Sequence, residues 1–388
     1  MATSVRAADI PLSRPQETPA EAAKTPVVKI WAGLGAVILA FDAYLLIRWV
    51  TGPYFHKVSN TVSEPPSWMK AELLAWEVLS IPVALFLIWH FVARPWIRER
   101  RIGVDGMLVI GAASMWVQDP WSSAGQHWFV YNTWMVNMGS WVHAIPWWTS
   151  FGKPGAMTSE PILFTPAAYV YIFLLAAALG CLVMRQIKRR YPTISAPALV
   201  ACCFLFMCVF DILLEGIIWL PLGVFEYPGG HWGLFASTYH KYPLQEMFTI
   251  AAVFTAVTSL RYFVDDRGRT IVERGVDEVR GGRGRQVVLR ALAVTAALQV
   301  AMFLGYNVPN TFFGTDSTAW PTDLQKRSYF TNNLCGMGTD RFCPGPGNPN
   351  IREKSIYPNT GGKVTVPKGT EVPKLVPFDK GKPGPQDG

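Results

Sequence analysis

Histidine is scarce in this chain: six among 388 residues, scattered, with no HxxxH or HxxHH spacing. A membrane di-iron desaturase or hydroxylase needs many histidines at close helical spacings, so that class is excluded. A single metal held by one carboxylate and a loop histidine stays open. Cysteine is equally sparse, with six residues and no CxxC knuckle. The last long apolar run, VVLRALAVTAALQVAMFLGY, contains no lysine, which excludes a retinal Schiff base there. No inverted repeat is evident, which weighs against a carrier built from two opposed halves.

What the chain has instead is apolar length. Half of its residues are hydrophobic, and seven runs stand out: Val27–Val50, 71–93, 104–121, 162–184, 196–220, 244–264 and 287–306. Most reach the roughly 20 residues that cross a hydrocarbon core. The third is the weakest, because Asp105 and Gln118 shorten its apolar centre. Buried helices of a soluble protein would require too many such runs in succession. The expected fold is therefore all-α, a polytopic membrane bundle of about seven transmembrane helices over residues 27–306.

Arginine and lysine placement sets the expected orientation. Arg94, Arg98, Arg100 and Arg101 follow the second run, and Arg185, Lys188, Arg189 and Arg190 follow the fourth. Seven arginines between Arg261 and Arg285 follow the sixth. The alternate connections hold only Lys57, Lys70, Lys153 and Lys241. This places the N-terminus in the cytoplasm, as in a multi-pass protein of a bacterial plasma membrane. Most of the net charge of +8 arises in these connections. It reads as topology marking and contact with anionic headgroups rather than nucleic-acid binding.

Residues 1–26, rich in Ala and Pro with mixed charge, are expected to be a disordered cytoplasmic tail. They do not resemble a cleaved signal peptide, so the first run is expected to remain as an anchor. Cys181, Cys202, Cys203 and Cys208 lie in apolar runs and act as small hydrophobes. Cys335 and Cys343 would face an oxidising compartment, where a short disulfide loop is plausible. Residues 307–388 are expected to form an extracytoplasmic tail, extended beyond Cys343 where Pro, Gly and Lys dominate.

Four acids interrupt the apolar runs: Asp42, Glu77, Asp211 and Glu215. A charge in lipid costs about 2.5 kcal/mol or more, so such groups usually face a shared interior. At 1.5 Å per residue they lie roughly 8–12 Å inside the outer ends of their runs. That common depth predicts one polar chamber. Asp211 and Glu215, spaced i, i+4, share a helix face. Two carboxylates so close in a low dielectric cannot both ionise cheaply, so the pair is expected to offer an acid and a base together. Helix-to-helix hydrogen bonding is the plainer account of any single acid. Glu246 and His240 are expected to close the chamber or mark the interface. Glu72 reads as interfacial, His90 as packing, and Glu226 to His231 as a turn around Gly229 and Gly230.

The outer loop 119–161 is not ordinary linker. Its opening, DPWSSAGQHWFVYNTWMVNMGSWVHAIPWW, is dominated by aromatics. A headgroup-level belt explains the tryptophans, but it has no need of the carboxylate and amides of Asp119, Asn132 and Asn137, which recur there with His127, Tyr131 and His143. These polar groups point to a lid or pocket wall. Here the chain resembles the AveC-type spirocyclase family, integral-membrane proteins of actinobacteria. The likeness rests on Asp119-Pro120, Tyr131-Asn132, Asn137 followed by Gly139-Ser140-Trp141, and Ile145-Pro146, with Trp147 where the family usually has Gly. It extends to the layout of runs from about residue 30 to 306.

The resemblance implies spiroketal formation from a dihydroxy-ketone, with dehydration in some members. Both are proton transfers that positioned carboxylic acids perform without metal or organic cofactor, and excluding water protects the cationic intermediate. The expected function is a membrane spirocyclase or dehydratase acting on a lipophilic hydroxy-ketone. Asp211 and Glu215 are the expected acid and base, with Glu77, Asp42 and Asp119 as further proton carriers. Tyr131, Asn132, Asn137, His127 and Trp141 are expected to contact substrate. No cofactor is expected, and the expected partners are the substrate and membrane lipids. A terpenoid or sterol-lipid cyclase and a proton-coupled carrier are the alternatives.

Overall fold

The computed structural model describes residues 26–372, except 61, 124–127, 147–157, 349–350 and 353. The tail 1–25 and the candidate contact His127 therefore lie outside the described residues.

Among the described residues the chain is mostly helical, and every apolar run becomes a helix. They are α1 (Val27–Val50), α2 (Ser67–Glu99), α3 (Val104–Met115), α4 (Thr165–Arg190), α5 (Ala196–Leu222), α6 (Leu244–Tyr262) and α7 (Arg283–Thr315). Five of these, α1, α2, α4, α5 and α7, are long and apolar enough to cross a membrane. Their outward faces carry exposed Ile30, Val37, Leu79, Leu85 and Leu205, a surface suited to acyl chains rather than water.

The third run stops short of its expected helix. Beyond Met115 the backbone tightens into a 3₁₀ stretch, Trp116–Ser123, with Pro120 inside it. Proline removes a backbone donor and cannot continue the α-ladder. Wider turns interrupt three other helices: Trp89–Ala93 in α2, Ile212–Trp219 in α5 and Phe303–Asn307 in α7 are π-helical. Such bulges are frequent at functional sites.

Packing is closest where small residues let backbones approach. α1 lies along α7, and a Cβ on Gly35 would sit 2.1 Å from the Leu292 carbonyl oxygen. α4 packs on α2, α3, α5 and α6, and its face toward them is buried. One end of the bundle is tied by charge. Arg261 donates to both oxygens of Asp105 at 2.6 and 3.1 Å, joining α6 to α3. Arg290 donates to Glu273 at 2.6 Å and to the Ile102 carbonyl at 3.1 Å.

The other end is capped by loops. Strand β1 (Val130–Tyr131) pairs antiparallel with β2 (Phe225–Glu226), and β3 (Gly233–Leu234) pairs with β4 (Tyr242–Pro243). Gly223, at φ 78°, ends α5 in the left-handed conformation that glycine adopts without strain. Its carbonyl accepts from Asn132 Nδ2 at 3.0 Å, which holds β1 beside β2. The expected boundary at residue 306 falls inside α7, which runs on to Thr315. Trp320, Leu324, Tyr329 and Phe330 then fold back into the main core. Cys335 and Cys343 form a disulfide. Later in the tail the paired elements are short, chiefly a hairpin of β5 (Tyr357–Pro358) and β6 (Val364–Thr365).

Candidate active site

Beneath the β1–β2 cap lies a narrow cavity of about 70 Å³, smaller than the usual small-molecule site. Its apolar wall includes Phe164, Phe173, Trp219, Phe225 and Phe254. Its polar groups are three acids, Asp119, Glu215 and Glu246, four tyrosines, Tyr131, Tyr169, Tyr227 and Tyr306, and Thr165.

Local backbone places each acid. Glu215 and Tyr306 stand on the π-helical turns of α5 and α7. Glu246 is in the first turn of α6, directly after β4, and Asp119 is on the 3₁₀ stretch after α3. Asp211, Glu215 and Glu246 each offer an oxygen within 4.8 Å of the others, and all three are buried. Tyr242 donates to Asp211 Oδ2 at 2.6 Å, and Tyr227 to Glu215 Oε2 at 2.9 Å. Asp211 Oδ1 and both Glu246 oxygens are buried with no hydrogen-bond partner among the described residues. An unpaired buried polar atom costs about 1–3 kcal/mol, so open acceptors here point to chemistry rather than to stability. Three oxygens at this spacing also suit a hard divalent cation by donor type.

The structure does not gather all the acids that share a depth. Asp42 Oδ2 accepts from Gln299 Nε2 at 3.1 Å, on a separate polar chain. That chain continues from Gln299 to Ser114 and, through Gln118, to Asn307. Glu77 Oε1 accepts from the Val136 backbone at 2.8 Å and so clasps the outer loop. Neither acid lines the cavity. Rise per residue fixes depth along a helix, but the face is set by rotation and packing, which spacing on separate helices leaves undetermined.

The loop residues divide in the same way. Tyr131 lines the cavity. Asn132 is spent on Gly223 and on the Trp134 amide. Asn137 Nδ2 donates to the Val58, Thr133 and Met135 carbonyls, and its Oδ1 accepts from Val58 and Gly139. The Trp141 indole donates to the Val117 carbonyl at 2.7 Å and packs on Trp49 and Trp116. These three side chains build the cap and do not line the cavity.

His90 packs between Phe86 and Phe91, and Glu72 is exposed. His240 is half-buried against Phe235 and Tyr239, outside the cavity lining. The turn before Gly230 forms, its amide donating to the Tyr227 carbonyl. Glu226, however, is buried on β2, and neither carboxylate oxygen has a partner among the described residues.

Sequence reasoning missed Glu160, Tyr169, Tyr227, Tyr242 and Tyr306. The tyrosines lie in or beside apolar runs and read as ordinary core or interface aromatics. Only their hydroxyls distinguish them: those of Tyr169, Tyr227 and Tyr242 meet carboxylates from other elements, and that of Tyr306 meets Tyr227.

Glu226 yields a pH prediction. Burial pushes its carboxyl well above the usual carboxylate range, against a smaller opposing pull from Arg327. The folded state keeps a proton that the unfolded chain sheds near the ordinary carboxylate pKa. The stability so gained is full below that value and is lost as pH rises through the folded pKa. Glu226→Gln is expected to raise thermal stability at pH 8, by about 1–3 kcal/mol, and to flatten its fall between pH 5 and 8. An unchanged pH–melting curve would contradict this.

No curated protein and no solved structure matches the chain. The sequence model of the family described as Spirocyclase AveC-like matches residues 99–330. That span holds every residue that lines the cavity, together with Asp211 and Tyr242, and leaves out α1 and most of α2. By this match over more than half its length, the chain belongs to the AveC-like spirocyclase family.

Proposed function

We propose that this chain is a seven-crossing membrane enzyme that closes a lipophilic dihydroxy-ketone to a spiroketal by acid–base catalysis in the capped cavity. The observation that carries the reading is the Asp211–Glu215–Glu246 cluster, buried, with open acceptors, beside an aromatic-walled space. The basic connections mark the cytoplasmic end. The Cys335–Cys343 disulfide belongs on an oxidising side, so the capped end faces outward.

The chemistry follows from the groups present. One substrate hydroxyl adds to the ketone carbon, its proton passing to a carboxylate as the carbonyl oxygen takes one from a carboxylic acid. The hemiketal hydroxyl then leaves as water with a second proton. The other substrate hydroxyl captures the cation and returns its proton to the cluster. One water is released, and the enzyme's proton count is restored. Carboxyl groups that share protons suit this exchange. Aromatic faces favour the cationic intermediate, and a dry wall keeps bulk water from capturing it. Asp211 and Glu215 are assigned as acid and base, Glu246 as their proton-sharing neighbour, and Tyr227 and Tyr242 as the donors that orient them.

The test is conversion of a linear aliphatic dihydroxy-ketone by purified protein in detergent, followed by mass spectrometry for loss of one water. Because the chemistry is assigned to protons, exhaustive chelation is expected to leave turnover unchanged. Activity lost to a chelator and restored by Mg²⁺ or Mn²⁺ would make the carboxyl cluster a metal centre instead.

A further inference from the structure

The acids above form one group, but the cavity carries a second. Asp119 lines the wall, and its Oδ1 accepts from the Tyr169 hydroxyl of α4. Glu160, from the segment just before α4, borders a small space with Tyr131 of β1 and Pro120, the residue next to Asp119. Both acids are more than nine-tenths buried, and each keeps one oxygen, Asp119 Oδ2 and Glu160 Oε2, without a partner among the described residues. Glu215, which accepts from Tyr227, and Tyr306 line the same cavity.

Glu160 is held there by design of the cap. Its amide donates to the Gly139 carbonyl at 3.2 Å. The preceding Ser159 is fixed twice, to Asn332 Oδ1 at 3.1 Å and to the Tyr131 carbonyl at 3.2 Å. Thr158 meets Ser140 at 2.8 Å. Asn137 organises the same turn. Two side chains, Asn332 and Ser140, and two backbone carbonyls, of Gly139 and Tyr131, thus hold a segment whose one ionisable group is Glu160. Burial pushes the Glu160 carboxyl well above its ordinary range, and the Asp119 charge pushes it further.

We propose that Asp119 and Glu160 share one proton and form a second proton-exchange station of the cavity, separate from the Asp211–Glu215–Glu246 cluster. Asp119 touches the substrate and gives the proton to its carbonyl or departing hydroxyl oxygen; Glu160 is a positioning residue that keeps that proton available. The kinetic part rests on the cavity being the reaction site, whereas the shared proton does not. Separate stations let a proton be delivered at one point of the substrate while another is removed elsewhere.

The test compares wild type and Glu160→Gln in detergent at pH 7 by infrared spectroscopy of the protonated-carboxyl C=O stretch. The variant is expected to lose the band of one protonated group, and Glu215→Gln to keep that band while losing a different one. With a linear dihydroxy-ketone, kcat of Glu160→Gln is expected to fall about 10²-fold. KM should change little, because Glu160 is not among the residues that line the cavity. A protonated-carboxyl spectrum identical to wild type would overturn the station. If Glu160→Gln fails to fold, Tyr169→Phe is used, which removes the hydroxyl on Asp119. A shifted band supports the station, and an unmoved one overturns it. Wild type with no cyclase activity but with the expected infrared change would sink the proposed function alone.

Discussion

Glu215→Gln is expected to lower turnover by about 10²–10⁴-fold, the usual share of a positioned acid or base, without loss of folded protein. The amide keeps the side chain's volume and can still accept from Tyr227, which donates to Glu215 Oε2 at 2.9 Å. What it removes is the exchangeable proton beside Asp211 and Glu246, which share the space within 4.8 Å. The loss should fall on kcat, because the group acts on developing charge rather than on ground-state binding. Glu77→Gln and Asp42→Asn are the matched controls. Those acids lie on other helix faces and hold the outer loop and a polar chain, respectively. They should alter stability more than chemistry. Normal turnover in Glu215→Gln, measured on protein of unchanged elution profile, would refute the assignment.

Gly35→Ala is expected to have the largest effect on stability of any single methyl addition in α1. The added Cβ would sit 2.1 Å from the Leu292 carbonyl oxygen, and a backbone atom in α7 cannot swing aside. Helix association in lipid depends on such close backbone approach. The cost should reach or exceed the upper end of the about 1–3 kcal/mol usual for overpacking. Gly33→Ala, two residues away with nothing within 4 Å of its Cβ, is the control and should be neutral or slightly stabilising. Thermal melting in detergent checks both. Equal melting temperatures for the two variants would mean that α1 and α7 do not meet as described.

The sequence displayed its helices because apolar length is a one-dimensional signal. All seven runs became helices, and the aromatic loop became a cap over a cavity. What stayed hidden required rotation and register. Asp42 and Glu77 share a depth with Asp211 and Glu215, yet they face α7 and the outer loop. Asn132 and Asn137 drew attention as polar residues among aromatics, and their polarity serves the backbone of the cap. The segment just after the last run gave no pattern either. Trp320, Tyr329 and Phe330 are few, but they are placed to enter the core. Glu160 and Tyr306 carried no local pattern. The first is brought to Asp119 by a folded loop and the second to the cavity by a π-turn, and neither can be read from spacing.

The reaction vessel is the central claim, and one measurement addresses it most directly. Purified wild type and Glu215→Gln are incubated with a linear aliphatic dihydroxy-ketone, in detergent and in sealed proteoliposomes. The account predicts a spiroketal one water lighter than the substrate, formed by wild type in both settings and absent with the variant. Unaltered substrate accumulating inside the vesicles, with no cyclised product in detergent, would contradict it and identify the buried acids with transport.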